Sequence, residues 1–185
     1  MQAARGASLS SSDQDTHESS ARPRRTWGLF ALVALAAYAL DLSTKQWALV
    51  NLEDGDIAVL GDWLVLHLVF NPGAAFSTGT EFTIVFSCLA VIAVLVVLWL
   101  SRRLGSPLWA VGLGLLLGGV AGNLTDRIFR EPGFMRGHVV DFLMLPNWPV
   151  FNVADMCINA AAAVIILQSF RGVMLSGARI EKDES

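Results

Sequence analysis

The chain has 185 residues, with 13 Lys and Arg against 16 Asp and Glu, for a net charge of −3. It is 54% hydrophobic and only 16% charged, where soluble domains carry about 25% charged residues. That deficit argues against an ordinary soluble domain. No basic patch interleaved with aromatic residues is present, so nucleic acid is not an expected partner.

In chain order, residues 1–26 are rich in Ser, Asp, Arg and Gln with no apolar period, and read as a disordered cytoplasmic tail. The first apolar run, Trp27 to Val50, is long enough to cross a hydrocarbon core, which takes roughly 20 helical residues. Arg22, Arg24 and Arg25 before it, and Ala37-Tyr38-Ala39 within it, imitate a secretory signal. The apolar character continues to Val50, too far for a signal core. Leu52 to Glu81 is mixed, and its segment Trp63 to Phe70 is β-branched and aromatic enough to predict extended structure at the outer surface. Three further spans are expected at 82–100, 107–125 and 151–170, with a polar, Pro- and Gly-punctuated loop from Asp126 to Val150 and a second tail over 171–185. Cys88 and Cys157 both fall inside spans and read as small packing residues, not as a disulfide or zinc framework.

Basic residues set the expected orientation. Arg5, Arg22, Arg24, Arg25, Arg102, Arg103, Arg171, Arg179 and Lys182 fall on one side, and only Arg127, Arg130 and Arg136 on the other. Positive charge stays cytoplasmic, so both termini are expected inside and both long loops outside. The expected fold is therefore an all-α membrane protein, a four-helix transmembrane bundle with a small extended or β element on its outer face.

Ionisable residues at membrane depth are costly and point to function by default. Asp41 and Lys45 are four residues apart, acid first, the favourable order for a helical pair. Asp41 lies about 21 Å beyond Trp27 along a helix. The pair reads either as a structural ion pair, with Lys45 snorkelling outward, or as a direct participant near substrate. Gly114, Gly118 and Gly122 recur every four residues, which suits close helix packing. The same face continues to Asn123, Asp126 and Arg127, an amide, a carboxylate and a guanidinium able to bond together as a brace or as part of a site. The fourth span opens with Asn152, Asp155 and Asn159, a stripe expected to face the bundle. Asp155 sits a turn inside the helix, too deep for a simple cap, which favours a functional role. Asn71-Pro72-Gly73 begins a turn whose small residues admit close backbone approach, and Asp141 sits among Val139, Val140 and Phe142.

Two or three carboxylates at a bilayer edge suit acid–base work on water, because neighbouring carboxylates share a proton. A zinc helix of His-Glu-x-x-His type and a Gly-x-Ser-x-Gly elbow are both absent, and Ser77 has no convincing base. With only His17, His67 and His138, no metal site and no cofactor are expected.

Five segments together resemble the lipoprotein signal peptidase (signal peptidase II) family. They are Asp41-x3-Lys45, Asn71-x-Gly73-Ala74-Ala75-Phe76, Gly118-Gly119-x2-Gly122-Asn123-x2-Asp126-Arg127, Val139-Val140-Asp141-Phe142 and Phe151-Asn152-x-Ala154-Asp155. They stand in the family's order and cover about residues 27 to 170. The resemblance implies an aspartyl endopeptidase acting on a diacylglyceryl-modified prolipoprotein just before its lipidated cysteine. It implies Asp141 and Asp155 as the catalytic pair, with Asn71, Gly73, Asn123, Asp126, Arg127 and Asn152 lining or bracing the site. Substrate and membrane lipids are the expected partners, the chain a monomer, and the location the bacterial inner membrane. The rival readings are a small proton- or ion-coupled transporter and a non-catalytic scaffold.

Overall fold

The computed structural model describes residues 21–73 and 83–179. Helix α1 runs over Ala21–Asn51, α2 over Thr83–Ser101, α3 over Pro107–Phe129 and α4 over Val153–Phe170. Between them lie the strands β1 (Ile57–Ala58), β2 (Val65–Asn71) and β3 (Val139–Met144). All four helices are long and apolar enough to cross a membrane, with mean hydropathy between 1.5 and 2.9. At most 39% of any of these spans is buried inside the protein. Leu35 is 66% exposed and Leu95 61%. Apolar belts of this length turned outward are stable only against lipid, so this is a multi-pass membrane protein.

Three boundaries differ from the sequence reading. Helix α3 runs to Phe129, four residues past the expected end at 125, so Asp126 and Arg127 are helical and not part of the loop. The first helix already includes residues 21–26, which the composition had placed in the tail. Three Arg residues and a Pro there hide the helix, because no lipid-length apolar run marks its start. Beyond α4, residues 173–179 fold back as a tight bridge between Val173 and Arg179. The Leu175 carbonyl accepts from the Gly105 and Ser106 amides at the start of α3, and Trp109 Nε1 donates to the Val173 carbonyl. The expectations for residues 1–20 lie outside the described residues.

Helix α3 is the centre of the bundle and owes that position to missing side chains. A Cβ on Gly114 would stand 2.9 Å from the Phe30 carbonyl oxygen, and one on Gly118 2.6 Å from that of Ala34, both on α1. A Cβ on Gly119 would stand 2.6 Å from the Ala154 oxygen on α4. The four-residue glycine edge thus seats α1, and the adjacent Gly119 seats α4. Gly118→Leu should lower stability by about 1–3 kcal/mol, the usual cost of overpacking. Thermal unfolding in detergent measures this, and an unchanged midpoint would mean that α1 and α3 do not meet so closely.

The three strands form an antiparallel sheet in the order β1-β2-β3, at the end of the bundle where α1 and α3 finish. The extended segment expected around 63–70 is β2. The pairing of β2 with β3 slips between Leu66 and Val69, after which Val69 opposes Asp141 and Asn71 opposes Val139. Asn71 and Asp141 become diagonal neighbours on one sheet face, within side-chain reach.

Candidate active site

Asp141 enters from β3 and is only 2% exposed. Its Oδ2 accepts from Asn71 Nδ2 at 2.8 Å, and its Oδ1 from Asn152 Nδ2 at 2.6 Å. Asn152 is the N-cap of α4, held beside β3 because Phe151 bonds back to Phe142 and Leu143. The Asn152 side chain accepts from the Asp155 amide at 2.9 Å, and Asp155 Oδ2 accepts from the Asn152 amide at 3.1 Å. That reciprocal pair is a capping box. Asp155 therefore does take part in capping, at the third helical position, contrary to the expectation from its depth. Its other oxygen, Oδ1, accepts from Asn123 Nδ2 at 2.9 Å. Asn152 thus touches both carboxylates, and each carboxylate also accepts from one further carboxamide.

Burial pushes the Asp141 carboxyl up from 3.8 to about 6. The charge of Asp155 acts in the same direction, while the amide donors of Asn71 and Asn152 and the ammonium of Lys45 pull back. A carboxyl tuned to that value exchanges its proton near neutral pH, as general acid–base catalysis requires.

Behind the pair stands a buried ionic cluster. Lys45 Nζ meets Asp41 Oδ2 at 2.8 Å, Asp126 Oδ2 at 2.9 Å and Asn123 Oδ1 at 2.9 Å. The ammonium donates to Asn123 and is ion-paired with both carboxylates. The Lys45 and Asp41 side chains are fully buried, so Lys45 turns into the bundle and does not snorkel. Asp41 Oδ1 accepts from the Ala154 amide at 2.9 Å, which clamps the first turn of α4 to α1. A carboxylate at a helix N-terminus is favoured by the unpaired amides and the helix dipole. The sequence spacing revealed the Asp41–Lys45 pair but could not reveal this third partner.

Asp126 departs from expectation. Its partners are Lys45 and Arg130 Nε, four residues on, and not the adjacent Arg127. Its Oδ2 also accepts from the Val140 amide at 3.2 Å, fastening β3 to the end of α3. The Asp126–Arg130 spacing was visible in the sequence, in the same acid-first order as Asp41–Lys45. Arg127 instead lies 5.8 Å over the Phe86 ring, and a Cβ on Gly73 would stand 3.1 Å from its Nη1. Gly73 has φ +110, a conformation that suits glycine, and its amide donates to Asn71 Oδ1 at 2.8 Å. Arg127 Nη1 is buried without a hydrogen-bond partner. Ala74, Ala75, Phe76 and Ser77 lie outside the described residues.

Of the stripe on α4, Asn152 and Asp155 face the site, whereas Asn159 is exposed and donates only to the Asp155 carbonyl of its own helix. Cys88 is likewise exposed rather than packed, and Cys157 is partly buried. Among the described residues, no three His, Cys, Asp or Glu side chains stand together as a metal site.

The fold and site define a multi-pass membrane protein with two amide-bound carboxylates at one end of its helical bundle. A family model described as Signal peptidase (SPase) II matches residues 33–171. The chain is 48% identical over 158 residues to a lipoprotein signal peptidase of Leifsonia xyli, covering 84% of this chain and 73% of the relative. It is 47% identical over 161 residues to that of Streptomyces coelicolor, covering 86% and 78%. The corresponding protein of Mycobacterium avium is 46% identical over 167 residues, covering 89% and 92%. Two solved structures, both described as a bacterial membrane enzyme determined by the in meso method, share the fold at TM-scores of 0.69 and 0.70. Both are 22% identical; they cover 78% and 84% of this chain, and 94% and 95% of their own. The chain belongs to the signal peptidase II family and is a peptidase of the aspartic class.

Proposed function

We propose that this chain removes the signal peptide from diacylglyceryl-modified prolipoproteins, cleaving just before the lipidated cysteine. Asp141 and Asp155 activate a water between them. The observation that carries this reading is Asn152, whose side-chain Nδ2 donates to Asp141 and whose backbone amide donates to Asp155, so that one residue tethers both carboxylates. The ionised member takes a proton from water as the oxygen attacks the scissile carbonyl. The protonated member gives its proton to the carbonyl oxygen, and no covalent enzyme intermediate forms. The carboxamides of Asn71 and Asn123 hold the pair in place. Arg127, with its unpartnered Nη1 near the same end of the bundle, is suited to donate to a backbone carbonyl of the substrate.

The reaction belongs at the outer face of the bacterial inner membrane, with both chain termini in the cytoplasm. The asymmetry of basic residues supports this placement. Cysteine placed at Ser8 or Glu184 should resist an impermeant thiol reagent in intact cells, and cysteine placed at Thr78 should react. The reverse labelling would invert the topology and remove the site from an exported precursor.

Acyl chains bury about 0.8 kcal/mol per CH₂ and so hold the scissile bond at membrane depth. A precursor peptide without diacylglycerol should therefore be cleaved at least about tenfold more slowly than the lipidated form. EDTA should leave turnover of the lipidated form unchanged. Equal cleavage of both forms would remove the lipid from recognition, and a loss restored by zinc would replace the two-carboxylate mechanism.

A further inference from the structure

On α1, away from Asp141 and Asp155, a groove of about 610 Å³ opens beside Arg130 at the sheet end of the bundle. Its apolar wall is Leu42, Trp47 and Val50, and its polar groups are Ser43, Gln46, Asn51 and Arg130. We propose that this groove is a binding site for a glycerophospholipid, held by its phosphodiester on Arg130 with its acyl chains along α1.

Four observations support that occupant. Polar side chains on the lipid-facing side of a spanning helix need partners, because hydrocarbon offers none. Ser43 and Asn51 turn back to their own helix carbonyls, but Gln46 makes no hydrogen bond to any described residue. Arg130 commits only Nε to Asp126, and its side chain is 27% exposed, so its two remaining nitrogens are open to the groove. Asp126 is shared among Arg130, Lys45 and the Val140 amide, and no carboxylate lines the groove itself. Trp47 lies one turn before the end of α1, the depth at which tryptophan favours the membrane interface. The volume falls within the roughly 300–1,000 Å³ of small-molecule sites, enough for a glycerol phosphate and the start of its chains. A guanidinium matches a phosphodiester in planar, two-point geometry. The membrane-spanning fold is required for this site, but the peptidase chemistry is not.

The test uses delipidated full-length protein in non-ionic detergent, titrated with brominated phosphatidylglycerol or with brominated diacylglycerol, which lacks the phosphate. The signal is the fluorescence lost by wild type but not by Trp47→Phe, which isolates Trp47. Brominated phosphatidylglycerol should half-quench that signal at a lipid fraction at least fivefold lower than brominated diacylglycerol. Arg130→Gln should erase the difference. Because Arg130 also braces Asp126, Gln46→Glu is the second variant: it leaves that pair intact, sets a carboxylate beside the phosphate, and should weaken quenching at least threefold. Equal quenching by the two lipids would mean annular contact only. An unchanged Gln46→Glu titration would also overturn the site. Self-association that shields Trp47 from both lipids would assign the groove to a second copy of this chain.

Discussion

Asp141→Asn and Asp155→Asn should each lower turnover of a lipidated precursor by at least about a hundredfold, while the protein still inserts and elutes as a single species. Positioned proton transfer contributes roughly 10²–10⁴-fold, and an amide can neither take nor give the proton. The two substitutions keep the size of the side chain, and the one carbonyl oxygen of Asn can still accept from one of the two donors that each carboxylate binds. Asp141→Asn also carries a signature in stability. The native state holds the Asp141 proton more tightly than the unfolded chain does, with a pKa of about 6 against 3.8. Its contribution to stability is complete below pH 3.8 and is lost as pH rises through about 6. The variant should lack that component of the pH dependence. Asp126→Asn is the contrast. Its carboxylate is spent on Lys45, Arg130 and the Val140 amide, so it should chiefly lower stability or substrate binding. A dead but well-folded Asp126→Asn beside an active Asp141→Asn would move the proton chemistry to Asp126.

Lys45→Met should be the most damaging single change to stability, at about 3–5 kcal/mol, the cost of leaving buried charges unpaired. One ammonium meets Asp41, Asp126 and Asn123, and the substitution strips all three at once. Asp126 retains Arg130, but Asp41 retains only the Ala154 amide. The damage spreads to the site because Asp41 holds the first turn of α4, where Asn152 and Asp155 sit. Thermal unfolding of the purified protein in detergent reads the loss directly. Lys45→Met combined with Asp41→Asn should recover part of it, since one unpaired anion is then neutral. An unchanged midpoint for Lys45→Met would mean that the cluster is not ion-paired in the folded protein.

The spans were legible because a lipid core imposes one demand, a long apolar helix, that composition alone reveals. The glycine edge of α3 was legible for a similar reason, since a four-residue repeat has few uses other than close packing. Partnerships within the polar cluster were only half legible. A local rule exposes Asp41–Lys45, and the same rule applied to Asp126 and Arg130 would have found that pair. Arg127 is adjacent to Asp126 in sequence but not in space, because consecutive helical side chains point about 100° apart. The capping box is legible in Asn152-x-x-Asp155, although the depth of Asp155 within the apolar run argues against a cap. Three placements could not be read at all. Asn71 meets Asp141 only through the slipped register of β2 on β3. Asp41 reaches Ala154 only because α1 and α4 both pack on α3. Arg127 meets Gly73 only where β2 ends against α2 and α3.

The most direct measurement is made on the purified, full-length protein with a synthetic precursor peptide whose cysteine carries diacylglycerol, read by mass spectrometry. A product that begins at the lipidated cysteine, formed by wild type in the presence of EDTA and absent with both Asp141→Asn and Asp155→Asn, is the expected result. Wild-type levels of that product from either variant, with the protein folded, would contradict the Asp141–Asp155 mechanism.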